Sequence, residues 1–481
     1  MMTTIYRLGK ILPIIAFFSM ITSCGDFLEE KSQDLFIPKT VQDYKEFVAG
    51  EMLNMGQHNG VVLAEYLDIL TDDVSDRVKP RRKDSQDSRE KMWGYYSWQA
   101  EPEIDFNNTF TADQLWNVAY HRILTANIIL NRLPEITGEQ AKKNDLEAEV
   151  RFIRAWSYFM LVNVYAKPYE DATQASTTIA VPLNTATSVE NRQLKRATLA
   201  DIYTLIEEDL TKAVSLFSET NITKNIYRPN LNASLLLLSR VALYTKQYQK
   251  AADWATQLIN NGSVKLFDLS KQPVRSTLRF FDEENKEILF TFGSRNAYRL
   301  YVYVSASGSE KGCYAVNPTL YAMFNSNDRR KNAFFTSVPG GGIKPFKFYQ
   351  NSSKNMLPGT LHLSEAYLNR AEAYVELGQV AKAVDDLNKV RTNRIAGYTN
   401  VSITDKDAAM QEVRKERRME LCFEGLRWFD LRRWGCPELK HTYNANNGTS
   451  PAIEYKLNQG DERYTLPVPR SERNLNSHIM E

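Results

Sequence analysis

At 481 residues, 43% hydrophobic and 25% charged, the chain is long enough for a large core or two domains, although a repeat scaffold reaches this length as one unit. Its 60 basic and 58 acidic residues leave a formal charge of +2, a balance that gathers neither nucleic acid nor an acidic surface. The compositional excess is aromatic, at 11% with 25 Tyr.

Arg7 and Lys10 precede the apolar run Ile11–Met20, which then meets small residues. That order is a secretory signal, expected over residues 1–23. The run contains Pro13 and falls short of the roughly 18 residues that a spanning helix requires. Ile21-Thr22-Ser23-Cys24 resembles a lipobox, in which an apolar residue and two small ones precede a cysteine that becomes diacylated. Acyl chains contributing about 0.8 kcal/mol per buried methylene would then anchor the chain at Cys24 without a span. The acidic start Gly25–Glu30 resembles that of lipoproteins sent to the outer membrane and onto its outer face. With Cys24 acylated, Cys313, Cys422 and Cys436 are an odd set at irregular spacing and make no disulfide framework. Cys422 falls in an apolar helical stripe and is expected to be a small buried hydrophobe.

Apolar residues at Leu115, Val118, Ile123, Ala126, Ile129 and Leu133 predict an amphipathic helix ended by Pro134. A second is predicted from about Asp145 to Val164, stopping before Pro168, and the two read as a hairpin. Thr198 with Asp201 reads as a capping box opening a third, and a fourth begins near Leu231. Lys246-Gln247-Tyr248-Gln249-Lys250-Ala251 and Gly378-Gln379-Val380-Ala381-Lys382-Ala383 each resemble the turn of a tetratricopeptide repeat, with Lys246 standing where Gly is usual. The repeats are not consecutive, so the expectation is an interrupted helical-repeat scaffold. Residues 262–359 have no sustained helical period and hold Gly340-Gly341-Gly342, several Pro and many aromatics, which predicts a loop-rich insertion with short strands such as Glu287–Phe292. Helices return at Ser364–Leu377, Val380–Arg391 and Asp405 to about Arg433, and an extended tail follows Pro437. The fold class is thus mainly α, an α-α superhelix of helical repeats divided as 24–261, 262–359 and 360–481.

Four strings carry a family signature. Glu149-Val150-Arg151-Phe152-Ile153-Arg154-Ala155-Trp156-Ser157-Tyr158-Phe159 is the first, and Glu207-Glu208-Asp209-Leu210 with Ala213 the second. Ser364-Glu365-Ala366-Tyr367-Leu368-Asn369-Arg370-Ala371-Glu372-Ala373-Tyr374, with Leu387-Asn388 and Val390-Arg391, is the third. The fourth runs from Glu416-Arg417-Arg418-Met419-Glu420 through Glu424-Gly425-Leu426-Arg427-Trp428-Phe429-Asp430-Leu431-Arg432-Arg433-Trp434-Gly435. In this order they resemble the SusD/RagB family. Two departures are Tyr165-Ala166-Lys167-Pro168, where the family usually has a Gly, and a C-terminus without the family's common Gln-Asn-Pro-Gly-Tyr ending. The resemblance implies a tetratricopeptide-like scaffold that lids a TonB-dependent, SusC-like transporter barrel and captures oligosaccharides, or peptides as on the RagB side. It implies a lipid-anchored outer-membrane binding protein, with no cofactor and no catalysis.

Within the fourth string, Glu424 with Arg427 and Asp430 with Arg433 are spaced to meet on a helix and read as a structural network. Ligand contacts are better sought among aromatics in loops, whose flat faces stack on sugar C–H faces while hydroxyl and indole N–H groups bond polar edges. Trp93, Tyr95, Tyr96 and Trp98 form one such cluster without a clear helical period, the competing reading being a strand that buries alternate rings. Tyr298, Tyr301 and Tyr303 offer an opposing wall, although Tyr301 and Tyr303 share one face of a strand. The histidines, His58, His121, His362, His441 and His478, are scattered and no metal site is expected. No GxSxG, HExxH or phosphate loop is present, and paired carboxylates acting as a glycosidase are the remaining enzymatic alternative.

Overall fold

A computed structural model describes residues 38–53, 66–76, 89–111, 113–189, 193–220, 222–272, 280–292, 303–304, 310–311, 314–337, 342–347, 360–445 and 449–480. The signal segment, Cys24 and Cys313 lie outside them. Met1–Lys39 and Thr40–Glu481 separate as two units, and everything below concerns the second.

The apolar stripes become helices α1 (Leu115–Arg132) and α2 (Gln140–Tyr165), packed as the expected hairpin. Pro134 cannot continue α1, which passes into a short 3-10 turn at Leu133–Glu135. The start of α2 precedes the expected one because a largely exposed polar turn, Gln140–Asn144, extends beyond the apolar stripe. Its last carbonyls would be orphaned in the core. Buried Arg432 donates to the carbonyls of Asn163 and Ala166, and the Leu466 N–H reaches that of Val164 at 3.0 Å.

Helix α3 (Leu199–Thr220) carries the reciprocal cap expected of Thr198 and Asp201, with bonds of 3.2 and 3.1 Å. Helix α4 (Leu231–Tyr244) holds Leu235, Leu236, Leu237 and Leu238 at 1% exposure or less, so it is central and apolar all round. It pairs with α5 (Tyr248–Asn260), as α6 (Leu363–Glu376) pairs with α7 (Val380–Thr392). In both hairpins a 14-residue helix precedes a 13-residue one, the tetratricopeptide-like arrangement expected. Fully buried Ala251, Ala255, Ala371 and Ala383 let these helices approach closely.

The stretch expected as one helix from Asp405 to Arg433 is two, α8 (Lys406–Leu421) and α9 (Arg427–Arg433). Phe423 and Gly425 between them take φ of 63° and 73°, and the Gly425 N–H donates to Asp68 Oδ1 at 3.0 Å. Asp430 and Arg433 do meet, at 2.9 Å. Glu424 and Arg427 do not, because the break aims Glu424 at Lys347 and His362, and Arg427 at Asp72.

The strands pair in twos. Ile288–Phe290, inside the segment expected as a strand, runs antiparallel to Leu361–His362, and Val74–Asp76 runs antiparallel to Tyr314–Val316. The tail is more ordered than an extended strap: Leu439–Tyr443 and Ile453–Leu457 form a hairpin. In its first strand Leu439, His441 and Tyr443 face inward while Lys440 and Thr442 face water.

The charged positions of the signature strings join the helices. Arg151 and Arg154 of α2 converge on buried Asp209 of α3, with bonds of 2.7 to 2.9 Å. Arg240 of α4 clamps Glu365 of α6 through two 2.6 Å bonds, and Arg433 of α9 clamps Glu372 in the same way. Cys422 is buried with a free thiol, as expected.

Candidate functional site

Trp93–Tyr96 form a single helical turn rather than a strand, and Trp98 follows with a left-handed φ of 50°. This geometry turns three of the four rings inward. Tyr95 stacks on Tyr66 at 4.4 Å. Tyr96 and Trp98 enclose the His441 imidazole between them, at 4.1 and 4.2 Å. Burial draws the His441 pKa down, against the carbonyls of Tyr96 and Thr71 that face its two nitrogens at 2.6 and 2.9 Å. Tyr96 donates its hydroxyl to the Thr442 carbonyl, and Trp98 donates its indole N–H to that of Leu70. Tyr95, Tyr96 and Trp98 are 3%, 1% and 2% exposed, so their expected place as ligand contacts is corrected: they are core.

Trp93 is the member of the cluster left half-buried. Its ring meets the half-buried rings of Phe106 and Tyr455 edge to face, at 5.7 and 6.1 Å, and its N–H donates to the Tyr455 hydroxyl at 3.1 Å. Beneath them lies a sealed floor. Phe106 contacts buried Tyr443, which also meets the Tyr96 ring and the Arg89 guanidinium, the latter 4.7 Å from its ring centre. Arg89 is paired with Asp76 and donates to the Asn444 carbonyl at 2.8 Å, which ties the rim to the tail hairpin. Gly94 permits the turn to sit against the Pro102 and Ile104 carbonyls, where a Cβ would fall within 2.5 Å of both oxygens. The arrangement offers flat apolar edges and a phenol over a rigid base, which is stacking and hydrogen-bonding chemistry.

Tyr298 and Tyr301 lie outside the described residues. Tyr303 lies in a two-residue strand, Tyr303–Val304, opposite Glu310–Lys311. Phe106 and Tyr455 were not singled out by sequence: Phe106 is one ring among polar residues, and Tyr455 reaches Trp93 from 362 residues away.

A second cluster brings Glu287, His362 and Glu420 within 4.8 Å of one another in a buried position. Cations of the protein already occupy it. Arg394 bonds both carboxylates, at 2.7 and 2.8 Å, and Arg330 reaches Glu420 at 2.8 Å. Burial works to raise the Glu420 pKa, yet Arg394 and then Arg330 outweigh it and hold it well below the usual carboxylate range. The cluster is therefore an ion network that braces α8 against the insertion.

The fold and this rim can be set beside known proteins. Residues 26–243 match a family model described as starch-binding associating with outer membrane, and residues 347–481 match one described as the SusD family. A SusD-like protein of Formosa agariphila is 26% identical over 76% of this chain and 79% of its own length. A second from the same organism is 24% identical over 98% of both chains. Among solved structures, a putative sugar binding protein from Bacteroides vulgatus superposes with a TM-score of 0.71 at 22% identity, covering 92% of this chain and 98% of its own. A laminarin binding SusD-like protein superposes with a TM-score of 0.66 at 21% identity, with the same coverages. No helix among the described residues is long and apolar enough to cross a membrane. Both family matches, in chain order and together spanning more than half of the sequence, show that the chain belongs to the SusD/RagB family.

Proposed function

We propose that this protein captures glycan fragments at the outer membrane, held there through acylated Cys24, and passes them to a TonB-dependent, SusC-like transporter without catalysing a reaction. The observation that carries the reading is the half-buried rim of Trp93, Phe106 and Tyr455 on its sealed base. Rings fixed in advance lose little entropy on binding, and a sugar's C–H face stacks on them while the Tyr455 hydroxyl bonds its edge. A laminarin-binding relative makes laminarin oligosaccharides the first probe. With full-length protein in detergent, Trp93→Ala is expected to weaken their binding by about 1 to 3 kcal/mol while helicity is retained. Unchanged affinity would remove the rim from the site. Product released from the oligosaccharide by purified protein would overturn the non-catalytic part of the reading.

A further inference from the structure

A second recess, of about 350 Å³, uses none of the residues of the Trp93 rim. It opens between the N-terminal half of α1, the Pro182–Asn184 segment and the short helix Arg470–Leu475. Its size falls at the lower end of small-molecule sites. The walls are fixed: Tyr120 donates its hydroxyl to the Pro182 carbonyl at 2.8 Å, and the Arg470 N–H donates to Glu103 at 2.7 Å.

Trp116 lines the recess, with its ring 4.9 Å from that of Tyr120. It is 3% exposed, yet its indole N–H donates to no described residue and is not among the unpartnered polar atoms sealed from solvent. This unused donor is thus not sealed from solvent, and it belongs to a ring that lines the recess. Three more polar groups there are open among the described residues. The exposed Asn117 carboxamide makes no bond, Asn184 donates nothing through Nδ2, and the Glu472 carboxylate accepts only a long 3.5 Å bond from Asn476.

We infer that this recess is a separate binding site for one or two rings of a neutral sugar. An aromatic pair suits the C–H face of a pyranose, and sugar hydroxyls both donate and accept, matching two carboxamides, an indole N–H and a carboxylate. Among the described residues that line the recess there is no Lys or Arg while Glu472 is present, a lining that suits a neutral ligand better than an anionic one. The inference requires nothing of the Trp93 rim.

The test is ligand-observed NMR titration of glucose, galactose, mannose, xylose and N-acetylglucosamine into full-length protein in detergent, with Trp116→Phe, Asn117→Ala and Trp93→Ala as variants. Trp116→Phe keeps the ring and removes the N–H, and Asn117→Ala changes an exposed side chain that the core does not use. The expected result is saturable binding of at least one sugar, about tenfold weaker in Trp116→Phe, severalfold weaker in Asn117→Ala and unchanged in Trp93→Ala. Absence of saturable binding by all five sugars, or wild-type affinity in both Trp116→Phe and Asn117→Ala, would overturn the inference. Weakening by Trp93→Ala alone would also overturn it and would leave the rim reading standing.

Discussion

Lys246 and Gly378 hold the same left-handed backbone at corresponding turns of the two helical hairpins, with φ of 56° and 74°. Each N–H donates to the carbonyl three residues back, Lys246 to Leu243 at 3.2 Å and Gly378 to Val375 at 3.0 Å. The next residue reaches further, Gln247 to Ala242 at 2.8 Å and Gln379 to Tyr374 at 2.7 Å. The helix end is thus the same device built twice, once with the residue that suits it and once without. A Cβ in this conformation crowds its own carbonyl and costs about 1 to 2 kcal/mol.

Lys246→Gly is therefore expected to stabilise the protein by about 1 kcal/mol, the relief of strain being partly offset by the greater freedom of glycine in the unfolded chain. Gly378→Lys should destabilise by a similar amount. No atom lies within 4 Å of the Cβ that Gly378 would gain, so its cost is conformational alone. Urea unfolding midpoints measure both. A Lys246→Gly midpoint at or below wild type would show that this turn stores no strain.

Gly94 is constrained differently, by space. A Cβ there would stand 2.4 Å from the Pro102 oxygen and 2.5 Å from that of Ile104, and these are backbone atoms that cannot swing aside. Gly94→Ala is expected to lower stability by about 2 kcal/mol through overpacking. It should also weaken laminarin-oligosaccharide binding, because the displaced turn carries Trp93. Thermal unfolding and titration of the same preparation check the two effects, and an unshifted melting temperature would refute the clash.

The helices were legible because a 3.6-residue period survives without knowledge of the neighbours. Leu115 to Leu133 is such a case. The break between α8 and α9 is not, since Phe423 fits the apolar stripe and the acceptor that fixes Gly425, Asp68, comes from 357 residues away. The rings of Trp93 to Trp98 posed a harder problem. Their composition suggests a binding surface, but which ring faces out is decided by Tyr66, His441 and Tyr455, all brought in by chain closure. The Trp116 recess has the same character, as its walls come from three distant segments. The signature strings identified the family through residues such as Arg154 and Asp209, which hold helices together and touch no candidate site.

His362 gives that framework a pH dependence. It is fully buried where the insertion meets the start of α6, with Nε2 at 2.9 Å from Glu424, Nδ1 at 2.7 Å from Ser364 Oγ and 3.6 Å from Glu287. The rings of Phe280 and Phe281 stand edge-on to it, and Lys347, Arg394, Arg330 and Glu420 complete the surrounding charges. Burial alone would lower its pKa, but Glu424 and then Glu287 outweigh that and raise it from 6.5 to about 9. The imidazolium is thus favoured by folding. Its contribution, on the order of 3 kcal/mol, is fully present below pH 6.5 and is lost as the pH rises through about 9. The unfolding free energy of the wild type should therefore fall across this interval, and that of His362→Gln should fall much less. Denaturant titrations of the two proteins side by side cancel the contribution of other titrating groups, and parallel curves would show that His362 is neutral in the folded protein.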